Sequence, residues 1–180
     1  SAIQSGRPVL VAQPLALTSE EADALAALAA STGLPCMVGH AVLYHPAVRY
    51  LHAAVRTPDF GAPCYLMATR VGPAPMHRGP EGALWDLAGQ DIALCNHLLG
   101  GSPRRVSAVG GGSEVRNLRI ELRAGDVIAG QNERRVSSNP PIAEPTQFGF
   151  ITLSYPHGVL ANLRFSWVDS HRVRELVAEH

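Results

Sequence analysis

The chain has 180 residues, and its 15 basic and 15 acidic side chains leave no formal net charge; all of the basic residues are arginines. With 46% hydrophobic and 17% charged residues, it can bury the core of one domain, or of one domain and a remnant of another. The balanced charge, with no basic stripe and no acidic run, argues against nucleic acid and against an anionic membrane surface as partners.

The first predicted element is a short apolar strand at Pro8–Ala12. Thr18 and Glu21 have capping-box spacing, and Ala22, Leu25, Ala26 and Ala29 then follow at helical spacing until Gly33 and Pro35 stop the helix. Cys36–Gly39 is a second strand, which completes a strand–helix–strand unit. Pro46 opens another helix, with Val48, Leu51 and Val55 on its buried face and Pro58 beyond its end. Pro63–Val71 alternates as a strand, 72–82 is a Pro/Gly-rich loop, and Gly82–Leu99 is helical up to Gly100 and Gly101. Arg104–Val109 is a strand and Gly110–Gly112 a turn after it. Leu118, Ile120 and Leu122 alternate with Arg119, Glu121 and Arg123, as in a half-exposed strand. Residues 129–146 form a surface loop, Phe148–Tyr155 and Val159–Trp167 flank a hairpin turn at Pro156–Gly158, and Arg172–Val177 is a last strand.

The fold class expected is therefore α+β: a mostly antiparallel open sheet with helices on one face, preceded by a remnant βαβ of a Rossmann-type fold. The domains expected are 1–41 for the βαβ and 42–180 for the α+β part, with 112–146 as a variable insertion.

Three cysteines, Cys36, Cys64 and Cys95, are widely spaced and read as reduced, buried thiols of a cytoplasmic protein. No apolar run approaches the roughly 18 residues of a membrane span, and no signal-peptide pattern opens the chain. No metal is expected: His40 and His45 lie across a helix start with no carboxylate at useful spacing, and Cys95 and His97 point apart on a helix. A serine hydrolase would need a strand–turn–helix nucleophile elbow, which is missing. Asp86 has two readings, a structural hydrogen bond to Arg70 or the preceding linker, or a proton-transfer group. Asp91 reads as a structural salt bridge. His40, at a strand end, reads as a satisfied structural histidine or as a base. Tyr44 is a core or a ligand residue.

Several segments together resemble the Gfo/Idh/MocA oxidoreductases, and the nucleotide-sugar dehydrogenases among them in particular. Pro8–Ala22 resembles the middle of those enzymes, which usually read EKPLA where this chain has Ala12-Gln13-Pro14-Leu15-Ala16. Met37–His40 and Tyr44–Arg49 are similar to the linker between their two domains. Leu84–Ile92 is similar to a helix reading WDLAPHDI, and Gly158–Arg174 to a sheet hairpin containing SWLDPHKVR.

The resemblance implies a substrate pocket lined by Gln13, His40, Tyr44, Trp85, Asp86 and Gln90, with His77 near its mouth. It also implies two losses. Gln13 stands where the family has its lysine, and Gln90 where it has its acid/base histidine, and an amide does not titrate in the useful range. The family's opening glycine-rich dinucleotide loop is also absent from this sequence, so no cofactor is expected. The expected function is a cofactor-independent descendant of a sugar dehydrogenase. Asp86 or His40 would move a proton and the glutamines would donate hydrogen bonds, in a cyclisation, elimination or isomerisation of a small oxygenated or carbonyl substrate within a biosynthetic pathway. The alternative is a non-catalytic subunit paired with a complete homologue. The strand at Pro8–Ala12 would expose an unpaired edge, so a homo-oligomer or a homologous partner subunit is expected.

Overall fold

A computed structural model describes residues 2–75, 82–112 and 146–180, and the backbone of 118–123. His77 and most of the 112–146 insertion lie outside the described residues, and so does the side-chain alternation expected at 118–123. The chain divides into two compact units, Ser1–Ala41 and Val42–His180.

The first unit holds β1 (Val9–Val11), α1 (Ser19–Thr32) and β2 (Cys36–Val38). The two strands are parallel, with Leu10 opposite Met37. Thr18 caps α1 by accepting a hydrogen bond from the Glu21 amide at 3.2 Å. Gly33 ends the helix in the left-handed region, with φ 66°, where a residue with a Cβ would be strained.

The second unit is built on a six-stranded sheet. After α2 (Pro46–Ala54) come β3 (Tyr65–Pro73), α3 (Gly89–Leu99), β4 (Arg105–Gly111), β5 (Leu118–Arg123), β6 (Phe148–Ser154), β7 (Leu160–Ser166) and β8 (Val168–Glu179). The strand order is β5-β4-β6-β7-β3-β8, and every pair is antiparallel except β3–β7. The α+β, largely antiparallel architecture is the one the sequence implies.

The core lies between the sheet and α2 and α3. Leu66 and Ala68 of β3, Ala161, Leu163 and Phe165 of β7, and Ile151 and Leu153 of β6 alternate onto one face, where they meet Val48, Leu94, Cys95 and Leu98 of the helices. Tyr155 closes one end of this core, and its hydroxyl donates to Asn96 Oδ1 at 2.6 Å.

Three details depart from the sequence reading. Gly110 and Gly111 are not a turn but the end of β4, paired with Gly149 and Phe148. The strand continues because side-chain-free backbones can approach closely there: a Cβ on Gly110 would stand 2.8 Å from the Phe148 carbonyl oxygen. The last strand runs over Val168–Glu179, far longer than expected, because it pairs with β3 along nearly the whole of that strand. Of the cysteines only Cys95 is buried; Cys64 is exposed in the segment leading into β3, and Cys36 is half-buried.

Candidate functional site

The segment most relevant to chemistry precedes α3. The helix expected from Gly82 to Leu99 is present, but Leu84–Ala88 form a π turn rather than an α turn. Such a turn pairs residue i with i+5 and is often found at functional sites. Asp86 sits inside it, so Asp86 and Gln90 do not share the strict one-turn alignment that α-helical spacing implies.

Asp86 is exposed, and its Oδ2 accepts a hydrogen bond from the buried Trp167 Nε1–H at 3.2 Å. Arg70, which one reading offered as its partner, is committed elsewhere. Arg70 Nε donates to both Asp91 carboxylate oxygens at 3.0 Å, and Nη2 donates to Oδ1 at 2.6 Å. The Arg70 and Asp91 side chains are 12% and 5% exposed, so this is a buried, forked ion pair joining β3 to α3. Asp91 is the structural ion-pair residue that its place in the sequence suggests.

Asp86 lines an open cleft of about 210 Å³ on the helix side of the sheet. Arg70, Gly72 and Pro73 of β3, Ser166 and Trp167 at the end of β7, and Arg172 and Arg174 of β8 form most of the rest. The chemistry available is one carboxylate that accepts from an indole donor and three guanidinium groups, one of them neutralised.

Of the described residues of the second unit that were expected to line a pocket, Asp86 lines this cleft. Tyr44 is 63% exposed in a 3₁₀ turn, Trp85 is 37% exposed, Gln90 is half-buried on α3, and none of the three belongs to the lining. Gln13 and His40 belong to the first unit. The Gln13–Pro14 bond is cis. His40 Nδ1 is buried and has no hydrogen-bond partner among the described residues, which is costly for a structural histidine. His77 lies outside the described residues.

Arg172, Arg174 and Ser166 were not singled out from the sequence. Alternation along β8 would have placed Arg172 and Arg174 on one face, but not the strand beside them. Among the described residues no three His, Cys, Asp or Glu side chains converge as metal ligands. No helix among them is long and apolar enough to cross a membrane.

The described strand–helix–strand unit does not fit a dinucleotide diphosphate. Its turn into α1 runs through Pro14 and Leu15, Thr18 already occupies the Glu21 amide, and Glu20 and Glu21 put negative charge in the first helical turn.

No family model matches the chain. A UDP-N-acetylglucosamine 3-dehydrogenase from Acidithiobacillus ferrooxidans is 38% identical over 109 residues, which is 61% of this chain and 34% of that relative. The solved structure of UDP-N-acetylglucosamine 3-dehydrogenase GnnA from the same organism superposes with a TM-score of 0.72 at 28% identity, over 99% of this chain and 48% of that one. An NAD binding oxidoreductase from Klebsiella pneumoniae, 18% identical, shares the fold with a TM-score of 0.75 over 99% of this chain and 46% of its own. This chain is thus a partial homologue of dehydrogenases, spans about half the length of the solved relatives, and has Gfo/Idh/MocA-type oxidoreductases as its homologues and structural neighbours.

Proposed function

We propose that this chain binds a sugar-like, oxygen-rich ligand in the Asp86 cleft and acts on it by proton transfer, without the hydride step of its dehydrogenase relatives. The observation that carries the reading is the Asp86 carboxylate, fixed by Trp167 Nε1–H at 3.2 Å and opening into a cleft of about 210 Å³. A carboxylate that lines a cleft is suited to general acid–base work. The amides at Gln13 and Gln90 support the non-redox part of the reading, because neither can supply the proton chemistry of the lysine and histidine that the family resemblance puts there.

The test uses the 3-oxo derivative of UDP-N-acetylglucosamine, whose C–H bonds beside the carbonyl are acidic. In deuterated buffer without any nicotinamide, the protein should accelerate deuterium uptake at those carbons, as followed by NMR. Asp86→Asn should reduce that rate by about 100-fold or more. Oxidation of UDP-N-acetylglucosamine by the protein once NAD is added, with no exchange in its absence, would overturn the reading.

We also propose that the helix-free face of the sheet is covered by another copy of the chain. Val109, Phe150, Leu160, Met67 and Val173 share this face and are 40–57% exposed, an apolar surface of the kind that marks association sites. Light scattering at micromolar concentration should give at least a dimer, which Phe150→Glu with Met67→Glu should dissociate. A monomeric wild type would refute this assembly.

A further inference from the structure

Among the described residues, two arginines of the cleft are in no ion pair. Arg70 directs its guanidinium to Asp91. Arg174 stands directly across from Arg70 in the register of β3 and β8, and Arg172 is two residues before it on the same face. Arg172 also lies close over Gly72: a Cβ there would stand 3.3 Å from Arg172 Cα and 3.4 Å from its Cβ and Cγ. Like charges facing each other on neighbouring strands repel, and Asp91 neutralises only one of the three. Among the described residues, no carboxylate lies within ion-pair distance of Arg172 or Arg174.

Ser166 is no third donor to them: it pairs with Val71, one residue on from the Arg70–Phe165 pair, so its side chain starts from the helix-free face. Charged side chains on an edge strand such as β8 also discourage strand pairing between molecules. Asp169, Glu175 and Glu179 share that role along β8, but of its charged residues Arg172 and Arg174 line the cleft.

We propose that Arg172 and Arg174 form an oxyanion subsite of the cleft that holds a carboxylate or phosphate group of the ligand. Guanidinium forks match both groups geometrically. The subsite narrows the ligand class argued above, on which it rests, to molecules carrying such an anionic group next to their hydroxyls. It places the anion at the β8 side of the cleft and the reacting carbon toward Asp86.

The test follows the arginine Nε–H signals of the intact chain by NMR while inorganic phosphate or acetate is added, with ionic strength held constant by chloride. Arg172 and Arg174 should shift saturably, and the anion that saturates at the lower concentration identifies the group preferred. Arg172→Gln with Arg174→Gln should weaken that binding by about tenfold or more, whereas the double Lys variant, which keeps the charge, should retain most of it. Shifts that stay linear with both anions would overturn the subsite, as would equal saturation at Arg105 or binding unchanged in the double Gln variant. Saturable anion binding with no deuterium exchange would sink the proton-transfer reading alone. Exchange that proceeds with no saturable anion binding would sink the subsite alone.

Discussion

Asp86 and Asp91 lie five residues apart around the junction of the π turn and α3, yet they have opposite fates. Asp91 is 3% exposed and answers Arg70 through a forked pair, so its charge is spent inside the protein. Asp86 is exposed, accepts from the Trp167 indole and lines the cleft. Removing one partner of a buried pair leaves the other charge without compensation. Asp91→Ala should therefore cost about 3–5 kcal/mol in urea unfolding, and Asp91→Leu combined with Arg70→Met should cost clearly less than Asp91→Ala alone. Equal losses in the two variants would show that the charge pair is not what the site depends on. The sequence supports an ion pair for Asp91 because a carboxylate on a packed helix needs one. It offers Arg70 to Asp86 and names no partner for Asp91, because that choice follows from the rotation of the helix against β3.

At the scale of elements, the hairpin of β6 and β7 shows how local pattern and close packing combine. Alternation along both strands, with Pro156–Gly158 between them, is enough to read the hairpin from the sequence. What alternation does not show is why glycine recurs opposite aromatic residues. Gly149 pairs with Phe165, and a Cβ at Gly149 would stand 2.6 Å from Phe165 Cζ and 2.9 Å from the Val109 carbonyl oxygen. The ring lies across the glycine and fills the space that a side chain would occupy. Gly149→Ala should lower stability by about 1–3 kcal/mol through overpacking, as measured by chemical denaturation, and Phe165→Leu in the same chain should recover part of the loss. No loss in Gly149→Ala would mean that the ring moves aside freely. The π turn is the element least legible beforehand: its residues fit a continuous α-helix by periodicity, and one inserted residue per turn leaves no mark in composition.

For the molecule as a whole, the core between sheet and helices sets the response to alkali. Burial, aided by the nearby Asp91 charge, pushes the Cys95 thiol up to about 12. Burial also raises Tyr155, with Cys95 contributing. Both groups are neutral when protonated, and their folded pKa values lie above those of the unfolded chain. The thiol's contribution to stability is thus fully present below its ordinary value of 9.0 and is lost as pH rises through the interval up to about 12, and that of Tyr155 is lost only above its ordinary value of 10.0. Urea unfolding should show stability flat in this respect up to about pH 8 and falling above about pH 9, by at most about 1.4 kcal/mol per pH unit for the thiol. Cys95→Ala should reduce the slope between pH 9 and 10; a slope unchanged in that variant would assign the alkaline loss to other groups. A thiol reagent at neutral pH should label exposed Cys64 readily and Cys95 only on unfolding.

The order of amino acids alone specifies the strand–helix–strand unit, the helices with their glycine ends, the mostly antiparallel sheet and the kinship with Gfo/Idh/MocA oxidoreductases, because period, caps and motifs are properties of neighbours along the chain. It also places glutamine at positions 13 and 90, and with it the doubt about ancestral chemistry. It does not specify that Asp86, Ser166, Arg172 and Arg174 share a cleft while Tyr44, Trp85 and Gln90 stand outside it. That grouping arises from the pairing of β3 with both β7 and β8 and from the π turn. Register between distant segments is set by how their faces pack together, a long-range choice that no local window contains.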